Sequence, residues 1–307
     1  MTLIGTKKVL AAKIETTPGT FETLSASDAA FNIMDAVITP NVAVSTRPHQ
    51  GGFGNLPGAA ETRTGTCTFM LEYAGDGSGG VPAWATLFLA GCGVVNAAGT
   101  LTPRDEVTGA NVKTLSFGVY EDGRRHKLAG AAGNCVITFP TGSIIQMNFT
   151  FTGVYLEPDD EALPSPTYPT IMPMRASSGA FTINSIAQAC SSVVFDFGNQ
   201  VTVRPSIATS SGYSHAIISD RFPTFTIDPE AKLIATDGIF SDWLSSTTRA
   251  LSIASQTATD KVTITAPAVQ RKTISQGDRE GVVIDNQTLE CCKTGTSALF
   301  TITIAAP

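Results

Sequence analysis

Few side chains in this sequence could do chemistry, and their spacing assembles none of them. The three histidines, His49, His126 and His215, stand far apart in polar stretches. A nucleophile needs a base and an orienting acid converging on it, and no G-x-S-x-G, H-E-x-x-H or phosphate-cradling loop brings such groups together. Gly52-Phe53-Gly54 begins like a dinucleotide-binding turn, but Pro57 stands where the third glycine belongs, and no strand and helix frame it. The six cysteines, Cys67, Cys92, Cys135, Cys190, Cys291 and Cys292, include no C-x-x-C pair and have no histidine at ligand spacing, so they read as buried free thiols.

Charged clusters give the same answer. Glu157, Asp159, Asp160 and Glu161 offer the oxygen ligands that calcium prefers, without a loop pattern to hold the ion, and read as a solvated linker. The basic run Gly123-Arg124-Arg125-His126-Lys127 lacks aromatic partners for nucleic-acid bases and reads as a salt-bridging surface toward another subunit. Asn148-Phe149-Thr150 and Asn286-Gln287-Thr288 match the glycosylation sequon, which matters only in an exported chain. The expectation is no catalytic residue, no metal and no cofactor, hence no enzyme and no small-molecule substrate.

The elements that would position any site follow from composition. At 307 residues, two domains of about 150 residues each are expected. Only 15% of residues are charged, while Thr, Ser, Gly, Ala and Val dominate, which suits strands and turns. A net charge of -6 argues against tight binding of nucleic acid, which needs clustered cations. No apolar run of about 20 residues could span a bilayer as a helix, and the N-terminus lacks the apolar core of an export signal. A soluble, mainly β protein without membrane insertion is expected.

Residues 1–26 read as an extended arm holding one strand, at 9–15, with little affinity for a core. Strands are expected at 30–39 and 42–46, then a Gly- and Pro-rich loop at 48–60. In residues 66–73, Cys67, Phe69, Leu71 and Tyr73 alternate with polar residues, which predicts a half-buried strand. Pro82 opens a short helix with Trp84, Leu87 and Phe88 on one stripe, stopped by Gly91 and Gly93; a second follows Asp237-Gly238, with Ile239, Phe240, Trp243 and Leu244 spaced to pack inward. Glu121-Asp122-Gly123 turns a hairpin after a strand at 115–120, and the clearest strand is 145–155. Residues 157–173 hold five prolines and no periodicity, and read as a linker outside helix and sheet. Further strands are expected at 193–197, 201–203, 224–228, 262–266, 282–289 and 300–304.

The chain also repeats itself. VSTRP at 44–48 returns as VTVRP at 201–205; Arg47 is followed by Arg63 as Arg204 is by Arg221; Thr66 and Thr68 match Thr224 and Thr226; and each run reaches one of the two tryptophans, Trp84 and Trp243. Order and spacing together predict two diverged copies of one unit. The division read from this is a first domain at 1–156 with its N-terminal arm, a Pro-rich linker at 157–173, and a second domain at 174–307. Three such chains closing a ring would present six similar units.

Four strings carry a family resemblance: AAKIETTPGT, FGVYEDGRRHKLAGAAGN, FTFTGVY and SGYSHAIISDRFPTFTIDPEA. They resemble the major tail tube proteins of long-tailed bacteriophages over about Lys8 to Cys292. The resemblance implies two tandem β-barrel or sandwich tail-tube domains, each with one short flanking helix. It implies inner sheets joined edge to edge into a 24-stranded ring, and stacked trimeric, pseudo-hexameric rings forming a hollow virion tail tube that delivers DNA to the host. Double-stranded DNA would be passing cargo, and tape-measure, tail terminator and tail-tip or baseplate proteins would be partners, with assembly in the host cytoplasm. Ring-stacking contacts are expected first from Gly51, Gly52, Phe53, Gly54, Asn55, Leu56 and Pro57, then from 206–215 including Gly212 and Tyr213. The arm at 2–17 is a further candidate for reaching a neighbouring ring. The competing reading is a two-domain β-sandwich that binds carbohydrate or receptor at the tail; it predicts exposed aromatic clusters at loop tips, whereas most aromatics here alternate along strands.

Overall fold

The structure is a computed structural model, and it describes residues 5–49, 51–104, 113–177 and 179–307. The first half of the chain contributes β1 (Lys8–Ile14), β2 (Ile33–Val44), β3 (Arg47–Pro48), β4 (Asn55–Leu56), β5 (Ala60–Glu72), β6 (Val94–Ala97), β7 (Thr100–Pro103), β8 (Leu115–Glu121), β9 (Arg124–Pro140) and β10 (Gln146–Asp160). The second half contributes β11 (Phe181–Ile183), β12 (Ile186–Ala187), β13 (Cys190–Asp196), β14 (Asn199–Pro205), β15 (Tyr213–Arg221) and β16 (Thr224–Pro229). Two short helices follow, α1 (Ile234–Asp237) and α2 (Ile239–Leu244), then β17 (Arg249–Gln256), β18 (Lys261–Arg279), β19 (Val282–Cys291) and β20 (Thr301–Ala305).

Sixteen of these strands form one large antiparallel sheet, while β3–β4 and β14–β15 are separate two-stranded ribbons. The first half runs β2-β5-β10-β9 with β8 and β1 continuing from β9; the second runs β13-β16-β19-β18 with β17 and β11 continuing from β18. Both halves use the same connectivity, and β13 joins them by pairing with β9. The β8–β9 turn is Asp122-Gly123 with positive φ at both residues, the mirror-image turn that matches strand twist.

Alternation along the strands builds the core. Cys67, Phe69, Leu71 and Tyr73 of the first half are buried, as are Met147, Phe149 and Phe151 opposite them. Phe69 stacks on Phe149 at 5.2 Å and meets Phe88 of the flanking helix at 4.9 Å. In the second half, Phe195 stacks on Phe225 at 4.3 Å and takes Phe300 edge-on at 4.9 Å. Such pairs add about 0.5–1.5 kcal/mol each beyond area burial.

Several expectations are corrected. The segment at 8–14 is no loose arm: it pairs along its whole length with β8 and buries Leu10, Ala11 and Ala12. Residues 2–4 of the expected arm lie outside the described residues. The start of the Pro-rich segment is strand and not irregular chain, because β10 runs on to Asp160. Pro158 fits there because the register shifts between Leu156 and Asp159, where its missing N–H removes no ladder bond. The first helix spans 83–91 with a π-turn at Ala85–Leu89, and Gly93, at φ 71°, stops it. Trp84 is buried and donates to the Ala74 carbonyl. Trp243, by contrast, is 37% exposed and Leu244 more so; α2 turns Ile239 and Asp242 inward instead, because Arg249 and Arg271 pair with Asp242 there.

Candidate functional site

The feature from which a function can be read is an extended surface. Eight strands, β2-β5-β10-β9-β13-β16-β19-β18, follow one another without a break. Their inward residues are the core just described, so the alternate residues face outward together. One cross-strand row reads Glu72, Gln146, Thr138, Val194, Thr226, Thr288 and Thr273. The next reads Met70, Asn148, Val136, Asp196, Thr224, Glu290 and Gln270. Hydroxyls, amides and carboxylates dominate both.

Two cations beside these rows are neutralised. Lys272 Nζ lies 2.9 Å from Glu290, and Arg279 reaches Asp228 and Glu230 at 3.0 Å each. Asp196 accepts the Asn134 amide at 2.7 Å and the Gly198 N–H at 2.8 Å. The face therefore offers a polyanion no row of free lysines or arginines on which to stick.

Both ends of the eight-strand path are open. β2 pairs with β5 alone, and from Gln270 onward β18 pairs with β19 alone. The middle of the path shows how such edges can join: β13 pairs with β9 from Ser192↔Pro140 to Asp196↔Val136. β9 is therefore bordered by β8 over its first part and by β13 over its last, whereas β18 has β17 over its first part and no strand over its last, where Trp243 Nε1 donates to the Lys272 carbonyl at 3.2 Å. Exposed Val37, Val42 and Val44 sit on or beyond the β2 edge, and exposed Val282 and Val283 sit at the β18–β19 turn.

Two ribbons grow from this path. The β2–β5 pair continues past Thr39↔Thr66 to Val42↔Arg63 and Val44↔Ala60, carrying β3–β4 at its end. Apart from Ser45, every described residue from Thr39 to Glu61 is exposed, and Phe53 stands free at the tip. Residues 51–57 thus lie at the end of a projecting ribbon, where Arg47 bonds the Pro57 carbonyl at 3.3 Å. The β14–β15 ribbon instead lies down on the first half. Arg221 donates to the carbonyls of Cys92 and Gly93 and to Asn199 Oδ1, at 2.8, 3.1 and 2.6 Å. Gly93 must be glycine for this, since a Cβ there would meet Arg221 Nη2 at 2.6 Å. Gly212 and Tyr213 are half-buried near Thr62 and Arg63, whose N–H donates to the Ser211 carbonyl; the exposed apex is 207–210. Arg204 is exposed and helps burial hold His215 below its ordinary pKa.

The remaining polar residues are held within the chain. Arg125 and Lys127 pair with Asp159 at 2.7 and 2.8 Å, and Arg124 with Glu121 at 2.9 Å, so the basic run is not waiting for another subunit. Arg125 and Lys127 pull the Asp159 carboxyl down to about 2. All six cysteines are free thiols; burial pushes Cys190 and Cys291 up to about 12 and Cys67, Cys92 and Cys135 higher, which removes their nucleophilicity at neutral pH. Among the described residues no group of His, Cys, Asp and Glu could hold a metal ion. Sequence reasoning missed the last part of β18 and the open edge it makes, because Pro267, Gly277 and a polar run hide the strand.

No curated protein matches the chain at a significant level. The family model for phage tail tube protein matches residues 5–291, nearly the entire sequence. The chain therefore belongs to the phage tail tube protein family, as a structural, non-enzymatic component of the virion tail.

Proposed function

We propose that three copies of this chain close laterally into a ring, and that rings stack into the hollow tube through which DNA passes to the host. The observation that carries this reading is the β9–β13 joint beside two open edges. A ring made by repeating that joint between chains would pair β2 of one copy with the last part of β18 of the next. Three copies of the eight-strand path would give the 24 strands that the family resemblance implies. Unpaired edges, a hazard in a monomer, would then satisfy one another.

Two diverged domains, 1–156 and 174–307, fit the same reading. The matched positions agree in register: Thr66 pairs with Thr152 and Thr39 as Thr224 pairs with Glu290 and Asp196. Counting along the strands from these pairs, Asn148 and Thr150 fall at the places of Asn286 and Thr288, so the two sequon strings are one repeated strand motif facing the same side. That side becomes the lumen, lined by hydroxyls, amides and paired charges over which DNA slides. Stacking is head to tail and open-ended. The exposed tip at 51–57 and the apex at 207–210 are the segments we assign to contacts between rings, with tape-measure, terminator and tip proteins as the partners of such a tube.

Negative-stain microscopy of the purified protein at low and high concentration tests this. Rings with three-fold symmetry and six lobes, and hollow tubes at high concentration, are expected. A chain that stays monomeric even with tape-measure and tail-initiating components present would overturn the proposal.

A further inference from the structure

We infer that the β2–β5 ribbon, residues 40–64, clasps the neighbouring copy within a ring, lying across that copy's second half at the end of α2. The inference rests on the ring reading above and goes beyond it. It assigns the shank of the ribbon to lateral contact and leaves its tip for other contacts.

The argument starts from register. Three residues past Thr39↔Thr66 comes Val42↔Arg63; three residues past Asp196↔Thr224 comes Asn199↔Arg221. Each ribbon then shifts register at once, between Val42 and Val44 and between Gln200 and Val201. Each carries an Arg-Pro pair further out, Arg47-Pro48 and Arg204-Pro205. The two ribbons are therefore the same device at the same place in each half.

Only one of them is docked on a helix end; at the base of the other, Arg63 donates from Nη2 to the Ser210 carbonyl at 3.3 Å and from its N–H to the Ser211 carbonyl at 3.1 Å. Asn199 Nδ2 donates to the carbonyls of Cys92 and Gly133 at 2.9 and 2.8 Å, and Arg221 holds Cys92 and Gly93. Ile218 packs at Gly93 and His215 at Gly130. What the docked ribbon grips is the C-terminal end of the first-half helix, where Gly93 has φ 71°. Its counterpart in the second half is the end of α2, where Ser246 has φ 56°. There no ribbon of the same chain arrives, and Leu233, Ile234, Trp243 and Leu244 remain exposed.

The exposed shank of the other ribbon has the apolar complement to cover them. Val42 and Val44 are exposed on its shank, and Arg63 stands at the position of Arg221. If β2 joins the open part of β18 as β13 joins β9, the following residues arrive at that copy's α2 as β14–β15 arrives at residues 92–93. The two valines then face Trp243 and Leu244, while Arg63 keeps its bonds to Ser210 and Ser211 and anchors the base of the ribbon. The occupant is a second copy of this chain, because the docked example is this chain's own ribbon.

The test is chemical cross-linking of the full chain with a short bis-maleimide. In the docked ribbon Ile218 touches Gly93, so the matching pair between chains is Ala60→Cys with Ser246→Cys. The double variant should give covalent dimers and trimers on a denaturing gel in single, unstacked rings, and neither single variant should do so. Rings visible by microscopy without any such product would overturn the clasp while leaving the ring intact. So would a product that forms only in stacked tubes, which would make the ribbon an axial contact. A chain that forms no rings removes the ring reading itself, and the clasp with it.

Discussion

Gln276→Pro isolates the joint between chains from the fold of the chain itself. Cys291 donates its N–H to the Pro223 carbonyl, so odd-numbered residues of β19 bond β16 and even-numbered ones bond β18. Asn286 and Thr288 thus bond Ser275 and Thr273, which leaves the N–H of Gln276 pointing to the open edge. The same counting from Tyr73, which donates to the Ile145 carbonyl, leaves Ile38 pointing out of β2. Carrying the β9–β13 register onto these strands sets Ile38 opposite Gln276. Proline at 276 removes one donor and leaves one carbonyl of the neighbour unpaired, a loss of about 2 kcal/mol per joint. Three joints lose about 6 kcal/mol, which raises the monomer concentration needed for half-assembly about a hundredfold, since that concentration varies as the square root of the trimer's dissociation constant. Mass photometry across a dilution series reads that shift, and circular dichroism with thermal melting checks that the monomer is unchanged. Ser275→Pro, which breaks a bond to β19, should instead lower the melting temperature. The reasoning is refuted if Gln276→Pro assembles at the wild-type concentration with its fold intact.

Other consequences follow from the same geometry. Asp159 titrates at about 2 because Arg125 and Lys127 hold it ionised; its stabilisation is full above the unfolded carboxyl range and is lost as pH falls toward about 2. With its side chain 36% exposed, the contribution is about 1 kcal/mol, and Asp159→Asn should lose that much at pH 7 and progressively less as pH falls through about 2 in denaturant titrations. Asp285 is buried with Oδ1 lacking a partner, and burial together with Asp237 raises its pKa, so Asp285→Asn should raise the melting temperature of the monomer at neutral pH; a drop would show that the carboxylate is used. Arg221→Ala releases the carbonyls of Cys92 and Gly93 and should cost about 2–4 kcal/mol in chemical unfolding, while an unchanged midpoint would mean the docked ribbon adds nothing.

Strands with clean alternation were legible in the sequence, because the pattern that buries Phe69, Phe149 and Phe151 is local. Arg63 and Arg221, and Thr66 and Thr224, which the sequence sets in parallel, fall at matching places in their strands, which supports the proposed repeat. What stayed hidden depends on partners distant in sequence. The strand at 8–14 is buried only because β8 arrives from more than a hundred residues away. The acidic segment after 157 joins the sheet because Arg125 and Lys127 await Asp159. Trp243 carries an apolar signal indistinguishable from that of Trp84, yet the charge cluster of Asp242, Arg249 and Arg271 takes the inward side of its helix. The open edges could not be read at all, since they consist of hydrogen bonds that one chain does not make.

Native mass spectrometry of rings released from assembled tubes tests the central claim most directly. The account predicts a closed species of about 96 kDa, three times the 32.0 kDa chain, with no smaller ring beside it. A ring of six chains, at about 192 kDa on the same chain mass, would contradict the eight-strand contribution of each copy and the repeat that underlies it.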